Sequence, residues 1–258
     1  MYVGKVTLGT SLPSRSSNMV AACSTGVFVL DYISNYLLAS LPSEALNLLE
    51  LEPVVLPQGA PIFEPNESID RIYFPETGMI SLLVVTSEGD MVETAIVGRE
   101  GALGIQRGLG RRQSLTRATV QIGGRFLTMA APKFELAAAV SAPIREMIVW
   151  YTEVLWGQAQ QTAACNAVHD ASSRLCRWLL QSAKAVGSDQ LALTQEFIGQ
   201  MLGVRRTTVT LLAQHLQRSG AIRYRRGKIS ILDRATLEAC ACECHTVMQN
   251  LQNQKLAS

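Results

Sequence analysis

The stretch LTQEFIGQMLGVRRTTVTLLAQHL, which spans Leu193–Leu216, contains two short apolar patterns with a glycine between them. Apolar residues recur three and four positions apart on both sides of Gly203, which predicts two helices that each bury one face. Thr194 stands where an N-cap side chain would accept a hydrogen bond from the first turn, and Glu196 adds a carboxylate to that turn. Glycine is the residue type that ends a helix and lets the chain turn sharply. The stretch therefore predicts a helix-turn-helix.

Polar and basic side chains occupy the start of the second predicted helix. In a helix-turn-helix this part of the second helix enters the major groove of DNA. Helical hairpins with a glycine turn also occur in proteins that never meet DNA, but such a hairpin has no need for guanidinium and hydroxyl groups at these positions. The pattern favours DNA binding over a purely structural hairpin. The side chains concerned are Arg205, Arg206, Thr207, Thr208 and Thr210.

A basic segment, GAIRYRRGKISIL (Gly220–Leu232), follows the motif and predicts a β-hairpin of the kind that forms a wing. From Thr194 to Arg234 there are eight Lys and Arg residues against two acids, a net charge of +6. The rest of the chain then carries −4 of the total of +2. A basic module on an acidic body is expected of a surface that binds phosphates.

The whole chain has the composition of an ordinary globular protein. Its 258 residues suffice for two small domains or one large one, and 48% hydrophobic with 17% charged residues argues against disorder. No apolar run approaches the length of a membrane span. The six cysteines do not form the framework of a small secreted protein. Although Met19–Leu30 resembles a short signal core, no convincing cleavage site follows it. We therefore predict a cytoplasmic protein with reduced thiols.

The first half of the chain begins with a helical pattern, Ile33–Leu51, whose second part opens at Pro42–Ser43–Glu44. It then changes to short β-rich runs separated by turn residues. Closely and regularly spaced strands of this kind predict a β-sandwich or jelly roll of roughly a hundred residues. The runs are Val54–Leu56, Ile62–Phe63, Ile69–Phe74, Met79–Thr86, Met91–Val97 and Ala118–Gln121.

A long helix is predicted over Ala142–Val168, where Pro143 is tolerated in the first turn. Spacings that alternate between four and three form a heptad-like seam, which predicts dimerisation. Burial of the same seam against the β-domain of its own chain is the alternative, and one helix could do both. Asp170 then caps a further helix, Ala171–Ala185, and a polar loop, Val186–Gln190, leads into the motif. The predicted dimer residues are Ile144, Ile148, Tyr151, Leu155 and Thr162.

This order of elements, together with IGQMLGVRRTTV and the wing sequence YRRGKISI, resembles the Crp/Fnr family of bacterial transcription regulators. The similarity is strong over Asp170–Cys244, weaker over Ile33–Phe134, and absent before Ile33. The fold it implies is α+β, with an N-terminal β-jelly-roll, a long dimerisation helix and a C-terminal winged helix-turn-helix. The implied parts are a loosely ordered tail at 1–32, a cyclic-nucleotide-binding-like sensory domain at 33–140, the dimerisation helix at 141–169, the DNA-binding domain at 170–245 and a C-terminal tail at 246–258.

Carried over position by position, the resemblance assigns DNA contacts to both helices of the motif. Thr194 and Gln195 become phosphate-side contacts, and Arg206 falls where the family's base-reading arginine stands, so we expect it to read guanine. Thr207 replaces a glutamate of many members, and Leu211 replaces an arginine of the cyclic-AMP receptor protein. The operator therefore cannot be copied from the best-known members. The wing adds phosphate contacts at Arg223, Arg225, Arg226 and Lys228.

The sensory part departs further from the family. Gly101–Ala102–Leu103 stands where the family has Gly-Glu-Leu, so the glutamate that binds the ribose is an alanine here. Gln113–Ser114 lies near the position of the family's Arg-Ser pair, without an arginine directly before the serine. We therefore predict no response to cyclic AMP. The arginines between Arg99 and Arg125 form either a solvated loop or a retuned anion pocket. The candidate effector pocket comprises Gly101, Ala102, Leu103, Arg111, Arg112, Ser114 and Arg117.

Other chemistry finds little support in the sequence. On a continuing helix, Cys240 and Cys244 would share a face while Cys242 points elsewhere, which is not the spacing of a zinc knuckle. We therefore predict neither a metal nor a cofactor, with a redox or metal role for these cysteines as the alternative. Catalytic motifs are missing, and we predict no enzyme. The implied partners are double-stranded DNA, a second copy of the chain, RNA polymerase and an effector of unknown identity, with no membrane. The alternative function is a small-ligand or protein-interaction module that uses the winged helix as a docking surface.

Overall fold

Two antiparallel β-sheets form most of the first half of the structure. The computed structural model describes residues 33–253, all of which lie in one compact unit. The predicted tail at 1–32 and residues 254–258 lie outside the described residues. The strands are β1 (Glu52–Leu56), β2 (Pro61–Phe63), β3 (Arg71–Pro75), β4 (Met79–Val85), β5 (Met91–Val97), β6 (Arg117–Ile122) and β7 (Gly124–Ala130).

The two sheets enclose a common core. Their strand orders are β1-β7-β3 and β2-β6-β4-β5. Phe74 and Phe126 from the first sheet meet Ile80 and Val120 from the second in one buried cluster. The predicted α+β fold class and its jelly-roll part are confirmed. One strand was missed: no strand was predicted over Gly124–Ala130, yet β7 forms there and pairs with both β1 and β3.

Short helices precede the sheets, and long ones follow. The helical pattern over Ile33–Leu51 forms two helices, and the second begins after Pro42 as predicted, but both are short: α1 (Tyr36–Ala39) and α2 (Ser43–Leu46). Pro42 lies between them and cannot donate the backbone hydrogen bond that a continuous helix needs. A 3-10 segment covers Ile105–Leu109, and α3 (Ala131–Val140) leads into α4 (Ala142–Val168), which has the predicted bounds.

The second half carries the helix-turn-helix and its wing. Its elements are α5 (Ala171–Val186), β8 (Gln190–Ala192), α6 (Gln195–Leu202), α7 (Arg206–Arg218), β9 (Ile222–Arg225), β10 (Lys228–Ile231), α8 (Arg234–Cys240) and α9 (Cys244–Asn253).

Three predictions about this half need correction. The polar loop Val186–Gln190 ends in β8, which pairs with β10 and widens the wing to three strands in the order β8-β10-β9. The helix expected to continue through Cys240–Cys244 is broken between α8 and α9, where Ala241 takes an extended conformation. Residues 246–253, expected as a tail, belong to α9, in which Cys244 and Met248 are buried. No helix among residues 33–253 has the length and apolarity to cross a membrane.

The two halves share a second hydrophobic core. Met79 and Ile96 from the sheets join Trp178 and Leu179 of α5 in it. The indole Nε1 of Trp178 donates a hydrogen bond of 2.6 Å to Glu93 Oε1, and the Ser81 hydroxyl donates to the other oxygen of that carboxylate. Burial raises the pKa of Glu93 to about 7, against the effects of these two hydrogen bonds and of the Arg177 charge. Glu93 therefore joins the two halves, and its contribution to the stability of the fold depends on whether its carboxyl group is ionised.

Glu93→Gln is expected to change how stability depends on pH. Because the folded pKa lies above the ordinary value of 4.5, the contribution of Glu93 is complete below pH 4.5 and is lost as the pH rises through about 7. Glutamine stays neutral, so the variant should gain on the order of 3 kcal/mol over the wild type between about pH 4.5 and pH 8. Urea unfolding across this range measures the difference, with the exposed Glu88→Gln as the control. Parallel pH profiles for Glu93→Gln and the wild type would contradict the expectation.

Candidate nucleic-acid interface

Local hydrogen bonds set the geometry of the helix-turn-helix. Thr194 caps α6, since its hydroxyl oxygen accepts from the backbone N–H of Phe197 at 3.3 Å. Gly203 ends α6 with a φ of +63°, in the left-handed region that favours glycine. The N–H of Val204 then donates to the carbonyl of Gly199 at 2.9 Å. A Cβ at Gly199 would lie 2.8 Å from the carbonyl oxygen of Val204, so this tight turn also requires glycine at Gly199.

Side chains on the inner faces hold the two helices together. Ile198 and Met201 of α6 and Val209 and Leu216 of α7 are buried in the second core. Thr210 adds a polar link, because its hydroxyl lies 2.9 Å from Gln195 Oε1 and 3.1 Å from the carbonyl of Arg206. Two predicted DNA contacts, Thr210 and Gln195, therefore bind each other here. This bond ties the start of α6 to the second turn of α7.

The start of α7 presents charge and hydrogen-bonding groups to solvent. Arg205, Arg206 and Thr207 are exposed, and Thr208 is half-buried. Within residues 33–253, no carboxylate lies within ion-pairing distance of Arg205 or Arg206. The N-cap residue, Arg205, makes no side-chain capping bond to the first turn. A helix N-terminus without a side-chain cap, next to guanidinium groups, attracts anions.

The wing separates apolar from basic side chains by the alternation of its strands. Arg223 is opposite Ser230 and Arg225 is opposite Lys228, while Tyr224 is opposite the buried Ile229. Basic residues therefore share one face, and apolar residues share the other. The turn consists of Arg226 and Gly227, with φ values of 49° and 73°. All four predicted phosphate contacts are exposed: Arg223, Arg225, Arg226 and Lys228.

The wing turn lies next to the start of α6. A Cβ placed on Gly227 would be 3.7 Å from Cγ2 of Thr194. Since Gln195 in turn binds Thr210 of α7, the wing turn, the cap of α6 and the first turns of α7 follow one another in space. We call this arrangement the basic surface; it comprises Thr194, the exposed residues Arg205, Arg206 and Thr207, and the four wing cations.

The first half of the structure contains a cavity of about 250 Å³ that four of the seven predicted effector residues line: Ala102, Leu103, Arg111 and Ser114. Its other walls are largely apolar and come from β4, β5 and α4. Ala102 is fully buried at the position where the resemblance expects a glutamate. Cyclic-nucleotide recognition needs a polar acceptor there, and the alanine side chain supplies none.

The three other predicted effector residues do not line this cavity. Gly101 packs on α4, where a Cβ would meet the Tyr151 hydroxyl at 1.8 Å. Arg117 pairs with Glu64 at 2.9 Å, and Arg112 lies 4.0 Å from Glu135. Two arginines of the basic segment are thus paired with carboxylates that are distant in the sequence. This favours the solvated-loop interpretation for these arginines.

The predicted dimer seam on α4 is not free to meet a partner helix. Ile144, Ile148, Tyr151 and Thr162 are buried within the same chain, and Leu155 is half-buried beside the cavity. This corrects the seam prediction in favour of its alternative, burial against the chain's own β-domain.

Helix α4 also buries one polar residue, and its opposite face is exposed to solvent. The side-chain oxygen of Gln158 accepts a 2.6 Å hydrogen bond from the backbone N–H of Ile96 on β5, which explains why α4 buries this polar residue. The face of α4 turned to solvent bears Val149 and Trp156 instead, which are 47% and 68% exposed.

One group of side chains was missed by the sequence interpretation, which predicted no metal site. Cys165, His169, Cys242 and Cys244 converge, and their potential ligand atoms all lie within 4.8 Å of one another. Cys165 and His169 stand four residues apart on α4, a spacing that places two ligands on one helix face. That spacing was the available signal, but nothing local connects it to cysteines more than seventy residues away.

Comparison with known proteins agrees with this geometry. Residues 173–240 match the family model of the Crp-like helix-turn-helix domain. The structure of FixK2 from Bradyrhizobium japonicum matches with 18% identity over 75% of this chain and 98% of that chain, at a TM-score of 0.64. TTHA1359 from Thermus thermophilus, a transcriptional regulator of the CRP/FNR family, matches with 22% identity over 74% of this chain and 98% of that chain, at a TM-score of 0.59.

A third solved structure is also similar in fold to this chain. CLP from Xanthomonas campestris, described as a c-di-GMP-responsive global regulator, matches with 14% identity over 74% of this chain and 100% of that chain, at a TM-score of 0.59. No curated protein matches. The resemblance inferred from the sequence is confirmed. Residues 173–240 therefore form a Crp-like helix-turn-helix domain, and the chain shares its overall fold with solved regulators of the CRP/FNR family.

Proposed function

We propose that this chain is a sequence-specific DNA-binding transcription regulator that acts as a homodimer. The basic surface carries the proposal. It combines an α7 N-terminus that has no side-chain cap with exposed arginines and a wing whose cations share one face. Phosphates are attracted to both parts, and the groove-facing start of α7 can reach base edges.

Different parts of the basic surface take different roles in this proposal. Arg206 stands in the first turn of α7 and reads a guanine through two hydrogen bonds. The wing cations neutralise phosphates and set affinity without reading sequence. Thr210 and Gln195, which bind each other, hold the two helices at a fixed distance and so position Arg206. Thr207 offers a hydroxyl in place of a carboxylate, so its base preference differs from that of a glutamate.

The proposed dimer forms through the solvent face of α4. Val149 and Trp156 are seven residues apart on this face, and Ala163, a further seven on, is also exposed. A seven-residue apolar repeat is the pattern by which two helices pair along their length. Two copies related by a twofold axis would present two copies of α7 to half-sites about one helical turn of DNA apart.

The proposed regulator does not respond to cyclic AMP. The buried Ala102 and the largely apolar cavity walls support this, since a ribose and a cyclic phosphate both need polar partners. Arg117, one of the candidate cations, is already paired with Glu64. The identity of an effector and contact with RNA polymerase stay predictions from the family resemblance.

The competing function is an interaction module that uses the winged helix as a protein-docking surface. The exposed guanidinium groups of the basic surface favour DNA, because protein interfaces are depleted in charge at their centres. A gel-shift experiment with random-sequence duplex DNA separates the two functions. Binding that disappears at high salt supports DNA recognition, whereas no shift at low salt would favour the docking module.

Arg206→Ala and Arg225→Ala should affect DNA binding in different ways. The preferred site is first found by selection from randomised duplexes. Arg206→Ala should then relax the preference at one position in each half-site and reduce discrimination by about 1–3 kcal/mol. Arg225→Ala, the matched control from the wing, removes a phosphate-binding cation. It should weaken binding equally for all sequences and lower the slope of log affinity against log salt concentration by about one. An unchanged site preference in Arg206→Ala would contradict the proposed docking.

Trp156→Glu should dissociate the dimer. A tryptophan at the centre of an interface is worth about 2 kcal/mol or more, so the dimer dissociation constant should rise about thirtyfold or more. Sedimentation equilibrium measures this constant. Leu136→Glu, which changes an equally exposed apolar residue of α3, is the control and should leave the dimer intact. A wild-type chain that sediments as a monomer, or a Trp156→Glu variant that remains dimeric, would refute this interface.

Cyclic AMP should leave the thermal unfolding of the protein unchanged. A ligand with a dissociation constant of about 10 μM would stabilise the folded state by about 2.7 kcal/mol at about 1 mM. Differential scanning calorimetry with and without the nucleotide resolves such a change. A clear upward shift of the melting temperature would show that the cavity accepts cyclic AMP despite Ala102.

A further inference from the structure

Four potential metal ligands meet where the long helix ends. Cys165 lies in the last turn of α4, and His169 is the C-cap of that helix. Cys242 lies in the break between α8 and α9, and Cys244 opens α9. The three sulfurs are buried and the imidazole is half-buried, and all four atoms lie within 4.8 Å of one another. The three cysteines also form a small core cluster of their own.

The distances suit a single tetrahedral ion. The sulfurs of Cys165 and Cys242 are 3.5 Å apart, and Nδ1 of His169 is 3.5 Å from the sulfur of Cys244. Zinc bonds of about 2.3 Å to sulfur and about 2.0 Å to nitrogen place tetrahedral ligands about 3.5–3.8 Å apart. Thiolates that bind different irons of a cluster have to stand farther apart, so the group fits one ion and not an iron–sulfur cluster.

Neighbouring side chains orient the ligands. Nε2 of His169 lies 3.1 Å from Oε1 of Glu243, so the other ring nitrogen, Nδ1, faces the sulfurs. A carboxylate on the far nitrogen of a ligand histidine is the usual way to fix its tautomer and orientation. The side-chain amide of Gln161 donates to the sulfur of Cys244 at 3.0 Å, a bond that stabilises a thiolate.

The backbone around the cysteines is unusual in a way that a metal explains. Residues 234–253 contain neither glycine nor proline, yet the helix stops at Cys240 and resumes at Cys244. In a continuous helix, Cys242 and Cys244 would point in different directions. The extended Ala241 and the break that follows turn both sulfurs toward α4. The ordinary alternative, cysteines buried as small apolar residues, requires neither this break nor the converging histidine.

We propose that Cys165, His169, Cys242 and Cys244 bind one thiophilic divalent cation of the zinc class in a closed structural site. All four positions of the tetrahedron come from side chains, so no open position is left for catalysis. Binding converts the three thiols to thiolates and releases their protons to solvent, with no change of oxidation state.

The ion would connect parts of the chain that are far apart in sequence. Two ligands come from the end of the long helix, directly before Asp170, which caps α5, and two come from the segment after the wing. α4 and α9 are already packed together, with Leu251 against Gly157. A bound ion would hold the DNA-binding half at a fixed angle to α4. This consequence for operator binding rests on the proposed function, whereas the site itself does not.

Metal analysis of the purified full-length chain tests the site directly. The protein is prepared under reducing conditions, and its metal content is measured by inductively coupled plasma mass spectrometry. We expect about one zinc per chain in the wild type. Cys165→Ser and Cys242→Ser should each lose it, while Cys240→Ser, which changes an exposed cysteine of the same segment, should retain it. Circular dichroism of each variant checks that the fold persists.

A spectroscopic measurement keeps the proposal testable if a serine variant fails to fold. Wild-type protein stripped with a chelator and reconstituted with Co²⁺ should show the visible absorption of a tetrahedral thiolate complex, and Zn²⁺ should displace it. Octahedral cobalt spectra, or equal zinc content in Cys165→Ser and the wild type, would overturn the site. A Cys165–Cys242 disulfide in a metal-free wild type would overturn it as well. Gel shifts with the zinc-loaded and stripped wild type then test the effect on DNA separately, because DNA binding can fail while the metal remains bound.

Discussion

The buried contact between Trp178 and Glu93 connects the two halves of the molecule, and the arrangement of the rest depends on it. The indole of α5 lies in the second core beside β4 and β5, so the helix that precedes the reading motif is seated on the sheet. Two further hydrogen bonds cross the same junction, from Gln58 to the carbonyl of Ala192 at 2.7 Å and from the backbone of Arg99 to the carbonyl of Ala185 at 2.9 Å. The orientation of α7 is therefore a property of the whole unit.

Strand β5 takes part in both the cavity and this junction. Thr94 and Ala95 line the cavity of the first half, and the adjacent Glu93 accepts the hydrogen bond from Trp178. The turn before the strand, Gly89–Asp90, lines an open cleft together with Arg205 of the helix-turn-helix. A change in the cavity that shifts β5 would therefore also shift the residues that pack against the helix-turn-helix. This packing is a physical route for regulation.

The sequence predicted best what is decided by neighbours along the chain. The cap at Thr194 and the left-handed Gly203 are local features, and the structure contains both. Strand β8 was missed because its partner, β10, lies about forty residues away. The convergence of Cys165, His169, Cys242 and Cys244 was missed because α4 and Cys242 meet only through tertiary packing. The prediction that the heptad-like seam of α4 forms the dimer was wrong for a related reason. The spacing of apolar residues shows that a helix buries one face, but not whether that face packs against a second chain or against the sheet of its own chain.

Arg226, in the turn of the wing, has a strained backbone conformation, which indicates that its side-chain charge matters at this position. Arg226 adopts a φ of 49°, a region where a side chain with a Cβ costs roughly 1–2 kcal/mol and where asparagine or glycine is the comfortable choice. A residue chosen only to reverse the chain would not be arginine. The guanidinium at the extreme tip of the hairpin thus belongs to the chemistry of the wing and not to its architecture. Substitution of Arg226 by asparagine or glycine would therefore relax the turn and leave the hairpin intact, but it would remove the outermost positive charge of the wing.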